Sequence, residues 1–335
     1  SYPVVQSLLS LGKLYGQLGY NQKAMDMFVQ ADSIICERFG QSSINRIPIR
    51  LEVCNGMINM KKIDEALELF QSLKSSITNQ VSKNHTIYLQ ALSTESKIYQ
   101  AMGDLPKAIN CMQKSFDLYQ QQIERNLTSP LLLTYYGELS QLYMLSGQWK
   151  QATQLNENAL QTAKRLYGDN AIPTMRILMQ KADLLRNRPD CPDCYELAQK
   201  IYLDVHEAFE KKYGPDAIEM YLIALRMAEM EVSKGQVENA IMRLVSLRDK
   251  LKEKYGKDFW PLISVYTALG STYRMKMQFS EGETMYKEAL DLAEKFHGKN
   301  SPELINILTE YSQCSYGKPN KYLLDRALSI ACSAY

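Results

Sequence analysis

Cys191-Pro-Asp-Cys194 is the sharpest chemical motif in the chain, with the Cys-x-x-Cys spacing of redox pairs and of half a zinc site. We expect ordinary thiols in an expanded turn here; the alternatives are a local disulfide and a metal site shared with another chain. The nearest histidine is His206. It lies twelve residues along the following predicted helix, about 18 Å away at the standard rise, and cannot share an ion with Cys194.

Other patterns of catalytic residues are weak or absent. Ser10-Leu-Gly-Lys13 has the Ser-x-x-Lys spacing of some acyl-transfer nucleophiles, but it coincides with a structural motif described below. The sequence contains no glycine-rich phosphate loop, no His-Glu-x-x-His and no Gly-x-Ser-x-Gly. We therefore expect a protein that is not an enzyme, with no catalytic residues, no metal ligands and no cofactor.

Small residues recur along the whole chain at steps of 42 to 46 residues, which indicates a stacked repeat. A second small residue precedes each of them, usually by 12 residues, so two helices are expected to cross closely in every copy. The two series are Ala24, Ala66, Ala108, Ala152, Ala198, Ala240, Gly282 and Ala327, and Gly12, Cys54, Ser96, Ser140, Ala182, Ala228, Gly270 and Ser312.

Turn residues mark the ends of the predicted helices. Gly19, Gly103, Gly147 and Gly235 are expected between paired helices. Asp64 and Ser280 are expected to cap second helices.

The first copy contains Leu11, Gly12, Tyr15, Ala24 and Phe28. The seventh has Leu269, Gly270, Tyr273, Tyr286 and Ala289 at the corresponding places. This resembles the tetratricopeptide pattern, and the long period of about 42 residues resembles the arrays of kinesin light chains.

The resemblance implies an all-α, right-handed superhelical solenoid of about eight antiparallel hairpins, forming one array over residues 1–335. The repeats are expected near 5–46, 47–88, 89–132, 133–174, 175–220, 221–262, 263–304 and 305–335.

Composition excludes several kinds of partner. The 335 residues carry a net charge of +2 without a basic stripe, which argues against nucleic acid. No apolar run approaches the roughly 20 residues that cross a bilayer, so direct membrane insertion is not expected. The seven cysteines are scattered and odd in number, which favours an intracellular location, cytoplasmic or mitochondrial.

The first helix of each hairpin is expected to line a concave groove. Its residue just after the small position is polar in every copy: Lys13, Asn55, Lys97, Gln141, Asp183, Glu229, Ser271 and Gln313. Arg176 and Arg274 lie about one turn from this row. The family resemblance implies that the groove binds a peptide or helix of a partner protein, and Lys13 and Lys97 would favour an acidic or C-terminal segment.

Two other functions remain open. The chain can be a permanent structural or assembly subunit of a large multiprotein complex, of mitochondrial or ciliary type, covered by partners on its outer surfaces. A thiol redox role of Cys191 and Cys194 is the remaining enzymatic alternative.

Overall fold

The computed structural model describes residues 2–17, 20–83, 85–122, 129–189, 191, 193–214, 219–314 and 319–334. Within these ranges all regular structure is helical, comprising sixteen α-helices and a short 3₁₀ helix, Ile44–Arg46. The predicted all-α class is confirmed.

Two compact units make up the chain, one reaching to Leu166 and the other running from Tyr167 to Ser333. In the first unit the helices are α1 Tyr2–Gln17, α2 Asn21–Phe39, α3 Ile47–Asn59, α4 Ile63–Gln80, α5 Thr86–Ala101, α6 Leu105–Gln122, α7 Pro130–Leu145 and α8 Trp149–Tyr167. In the second they are α9 Ile172–Arg186, α10 Cys194–Tyr213, α11 Glu219–Ser233, α12 Val237–Tyr255, α13 Leu262–Met275, α14 Phe279–His297, α15 Leu304–Ser312 and α16 Lys321–Ala334.

Successive helices pair as hairpins, which we number 1 to 8, each with an odd-numbered first helix and an even-numbered second helix. A single array with the repeat boundaries given above remains a prediction.

The small residues of both series are buried where paired helices meet. A Cβ added at Gly12 would lie 2.5 Å from the Phe28 ring, and one at Gly270 would lie 2.8 Å from the Tyr286 ring. Two copies add a hydrogen bond to the crossing. Ser96 Oγ donates to the carbonyl of Ala108 at 2.7 Å. Ser140 Oγ donates to that of Ala152 at 2.9 Å. Only small side chains leave room for this approach.

The predicted turn glycines have the left-handed backbone that favours glycine, with φ of 80° at Gly103, 74° at Gly147 and 75° at Gly235. Gly19 lies outside the described residues. The two predicted caps are wrong, because α4 begins at Ile63 and α14 at Phe279. Asp64 and Ser280 therefore fall inside the first helical turn, where Asp64 contributes only its charge.

The core of each hairpin is organised around the residue four places after the second-helix small residue. This residue is buried in hairpins 1 to 7, as Phe28, Phe70, Met112, Asn156, Tyr202, Leu244 and Tyr286. Apolar residues of the next first helix pack around it, so each hairpin buries its apolar surface against its neighbour within the same unit. No helix among the described residues has both the length and the apolar composition to cross a membrane.

Candidate functional site

The predicted row of first-helix residues lies at the protein surface. None of its eight members is buried; Lys13, Gln141 and Gln313 are exposed and the others are partly exposed. The helix crossing explains this, because the preceding small residue points into the crossing and the next residue is rotated by about 100°. We call this surface the first-helix face.

In the first unit, the two lysines of the row form ion pairs with the next first helix. Lys13 Nζ lies 2.8 Å from Glu52 Oε1. Lys97 Nζ lies 3.3 Å from Glu138 Oε1. We expected these two positive charges to attract an acidic partner segment. The ion pairs neutralise much of this charge, that of Lys13 between hairpins 1 and 2 and that of Lys97 between hairpins 3 and 4.

Asn55 has hydrogen-bonding capacity left over. Its Nδ2 donates a hydrogen bond to Glu52 Oε2 at 3.4 Å. Because a carboxylate only accepts, this bond assigns the amide nitrogen to the side facing Glu52 and the amide oxygen to the other side. Its Oδ1 is buried and accepts no hydrogen bond within the part of the chain that the structure describes. A buried acceptor without a donor costs about 1 to 3 kcal/mol. The oxygen exposes less than 1 Å² of surface, so a donor from outside reaches it only if neighbouring side chains move.

In the second unit, Asp183 and Glu229 are joined by two arginines. Arg226 Nε lies 3.2 Å from Asp183 Oδ1, and its Nη1 lies 3.2 Å from Glu229 Oε2. Arg186 also pairs with Glu229. Tyr202 donates its buried hydroxyl to Asp183 Oδ1 at 2.6 Å, so the core of hairpin 5 holds one end of the network in place.

Burial and charge act together on this network. Burial lowers the pKa of Arg186, but the hydrogen bond and charge of Glu229 outweigh it and leave the pKa above its usual value. Burial, followed by the hydrogen bond to Asp183, raises the pKa of Tyr202. Arg186 thus stays charged and Tyr202 stays a neutral donor at physiological pH.

The remaining predicted site residues are not brought into these clusters. Gln141 is exposed on α7, and Arg176 is exposed near the start of α9. Arg274 is near Tyr286, whose pKa it lowers against the larger effect of burial, and its buried Nε has no hydrogen-bond partner among the described residues.

Sequence reasoning missed Glu52, Glu138 and Arg226, each of which lies two residues before a first-helix small residue. Each pairs with the row residue of the preceding hairpin, which has the opposite charge. Opposite charges separated by about one period were the signal that could have identified them.

The second unit contains a cleft of about 440 Å³ on its first-helix face. It lies along α13, which contacts α11 on one side and α15 on the other. Its walls include Glu229, Thr267, Ser271, Glu303, Ile307 and Glu310. The cleft combines carboxylates, hydroxyl groups and apolar surface.

Cys191 and Cys194 form a disulfide, with their Cα atoms 5.3 Å apart. The expected ordinary thiols are therefore wrong for this structure, and the local disulfide is the alternative that it contains. The physical reason is that the turn before α10 folds the two residues within bonding distance. Among the described residues, no group of three or more His, Cys, Asp or Glu side chains is placed to hold a metal ion.

Family models described as tetratricopeptide repeat match three segments, residues 5–35, 132–170 and 262–303. A comparison with curated protein sequences finds no match.

Solved structures share the fold. A Rap protein complexed with Competence and Sporulation Factor has a TM-score of 0.60 at 11% identity, over 98% of this chain and 87% of its own. NprR in complex with its cognate peptide NprX has a TM-score of 0.57 at 14% identity, over 98% and 86%. A Q17M variant of TPR-like repeats from Podosopora anserina, described as a kinesin light chain, has a TM-score of 0.50 at 18% identity, over 64% and 98%. Three segments of the chain thus match tetratricopeptide-repeat models, and the chain shares its fold with solved structures of TPR-like repeats.

Proposed function

We propose that this chain is a non-catalytic scaffold that binds a peptide or helix of a partner protein along its first-helix face. The observation that carries the proposal is that the polar row lies at the protein surface, where none of its eight members is buried. An extended segment presents a backbone N–H and C=O at every non-proline residue, and exposed polar side chains such as that of Gln141 can bond both groups.

The solved relatives support this proposal. Tetratricopeptide folds are typical of protein-interaction scaffolds, and the Rap and NprR structures contain a bound factor and a bound peptide. The candidate contact residues remain Lys13, Asn55, Lys97, Gln141, Arg176, Asp183, Glu229 and Arg274. The ion pairs of Lys13 and Lys97 reduce the preference for an acidic segment that their charges alone suggest.

The test uses peptides selected on the purified chain from a displayed random library. Asn55→Ala or Gln141→Ala should weaken a selected peptide by about tenfold, because a lost interfacial hydrogen bond costs roughly 1 to 2 kcal/mol. Fluorescence anisotropy measures the affinity.

The matched controls are Asn79→Ala and Gln71→Ala on the exposed side of α4, a second helix. They should leave the affinity unchanged. An equal loss in the control variants, or a library that yields no binding peptide, would contradict the proposal.

A permanent subunit of a large complex is the second candidate, favoured by a feature of the outer surface. A cleft of about 580 Å³ is lined by residues of α10, α11 and α12, including Met220, Leu247 and Met242. Met242 is 63% exposed, as expected of a side chain that a partner covers. If partners cover this surface, Met242→Glu should disrupt the assembly, whereas Asn55→Ala should leave it intact. Size-exclusion chromatography of the native complex measures this difference.

A redox role for Cys191 and Cys194 has less support. Cys194 is 3% exposed at the first turn of α10, whereas Cys191 is partly exposed, so thiol exchange would have to begin at the Cys191 sulfur. We interpret the disulfide as a covalent link within the turn between α9 and α10.

A further inference from the structure

The disulfide between Cys191 and Cys194 presents its two sulfur atoms unequally to solvent. Cys191 is partly exposed in the turn between α9 and α10, whereas Cys194 is 3% exposed as the first residue of α10. A thiolate opens a disulfide by attacking one sulfur, and the other sulfur leaves, with access deciding which is attacked. The burial pattern therefore selects Cys191 for attack and Cys194 as the leaving group.

The turn also brings the two cysteines together through a contact that does not involve sulfur. The backbone N–H of Cys194 donates to the carbonyl of Cys191 at 3.2 Å. Their Cα atoms are 5.3 Å apart, within the range that a disulfide spans. Because this hydrogen bond does not depend on the S–S bond, the two thiols should stay close enough to bond again after the disulfide opens.

Contacts outside the turn hold α10 in place independently of the disulfide. Tyr195 donates its hydroxyl to the carbonyl of Met230 in α11 at 2.6 Å. Ala198 and Tyr202, further along α10, are fully buried. Tyr202 packs in one apolar cluster with Met230, so hairpin 5 remains joined to hairpin 6 when the turn changes. Opening of the disulfide should therefore alter the turn and leave the fold intact.

From these observations, we propose that the disulfide is a reversible modification site for low-molecular-weight thiols of the glutathione class. The thiolate of the small thiol attacks Cys191 Sγ, the S–S bond breaks, and Cys194 Sγ leaves with the electron pair as a thiolate. The product is a mixed disulfide between the small thiol and Cys191.

This mixed disulfide has two balanced fates. Cys194 Sγ attacks Cys191 Sγ, expels the small thiolate and restores the original disulfide. Alternatively, a second small thiolate attacks the sulfur of the bound thiol, which gives the oxidised dimer of the small thiol and leaves Cys191 as a thiolate. The site therefore records the thiol poise of its surroundings, which differs from a catalytic redox role because no substrate is turned over.

Two variants identify the sulfur that exchanges. In Cys194→Ala, Cys191 has no partner in the turn, so its thiolate should attack oxidised glutathione, release reduced glutathione and gain one glutathione. In Cys191→Ala, the buried Cys194 should gain none. Mass spectrometry with peptide fragmentation locates the adduct. The exposed Cys332 is the reactive reference thiol in both variants.

The wild-type chain supplies a measurement that needs no variant. Brief treatment with excess reduced glutathione, followed by an acid quench and alkylation, should place glutathione on Cys191 and the alkyl group on Cys194. Replacement of reduced by oxidised glutathione should then restore the disulfide. Circular dichroism should show the same helical signal throughout.

Each contrary result would overturn a stated part of the proposal. Glutathione on Cys194, or on both cysteines equally, would overturn the order of attack. A disulfide that stays closed in excess reduced glutathione, while oxidised glutathione labels Cys332, would overturn the exchange itself. Loss of helical signal on opening, or failure of the disulfide to return, would overturn its reversibility.

Discussion

Met277 occupies the turn position at which hairpins 3, 4 and 6 have glycine, and it adopts the same left-handed backbone, with φ of 62°. Lys61 does the same in hairpin 2, with φ of 61°. The repeat geometry therefore imposes this conformation whether or not the residue suits it. In the copies that have glycine, the sequence predicts this turn conformation. In the copies that have Lys61 or Met277 instead, only the structure reveals it.

Replacing Met277 with glycine should stabilise the protein. A non-glycine residue in the left-handed region of backbone conformation costs about 1 to 2 kcal/mol, which the change to glycine removes. The greater conformational freedom of glycine in the unfolded chain offsets about 0.5 to 1 kcal/mol of this stabilisation. The free energy of unfolding should rise by about 0.5 to 1 kcal/mol in a urea titration. Met275→Gly, in the last helical residue of α13, should lower it instead. A loss of stability with Met277→Gly would contradict this account.

Helix crossings within hairpins were predictable at the level of elements, because they depend on small residues at a fixed separation along the chain. The ion pairs between first helices were not predictable, because a second helix separates the two first helices in sequence. Predicting these pairs requires knowing which residues of neighbouring first helices lie side by side. For the same reason, periodicity identified the polar row but not which of its charges were already paired.

The crossing of α5 and α6 gives a direct test of this packing. Ala108 is fully buried and its carbonyl accepts the Ser96 hydroxyl. Ala108→Leu should overpack the crossing and lower the free energy of unfolding by about 1 to 3 kcal/mol. Circular dichroism during thermal unfolding measures the effect.

Ala101→Leu, at the exposed end of α5, is the matched control. It should change stability by less than about 0.5 kcal/mol. Similar melting of both variants and the wild type would mean that the crossing is not where the structure places it.

For the whole molecule, burial of ionisable groups that must stay neutral predicts sensitivity to alkali. Burial raises the pKa of the Cys54 thiol to about 12 and that of Cys111 to about 11. It also raises the pKa values of Tyr202 and Tyr286. In the unfolded chain, thiols ionise near 8.5 and phenols near 10.

Because the folded pKa values are higher, the unfolded chain releases its protons first as the pH rises. Stability should be constant up to about pH 8.5 and then fall toward the folded pKa values, by roughly 1 to 3 kcal/mol for Cys54 at pH 11. Thermal unfolding between pH 7 and 11 measures this decline. Cys54→Ala should flatten it, whereas Cys332→Ala, at an exposed position, should not. An unchanged profile for Cys54→Ala would remove this thiol as a cause.

The ion pairs along the first-helix face also distinguish the hairpins from one another by which partner is acidic and which is basic. Hairpins 1 and 3 each present a base to an acid of the next hairpin, whereas hairpin 5 presents the acid Asp183 to the base Arg226. A rearranged chain with hairpin 5 before hairpin 2 would set Asp183 against Glu52. Like charges would then meet at that joint. The polarity of these pairs thus favours hairpin 1 before 2, hairpin 3 before 4 and hairpin 5 before 6, an order that the small residues of the crossings do not specify.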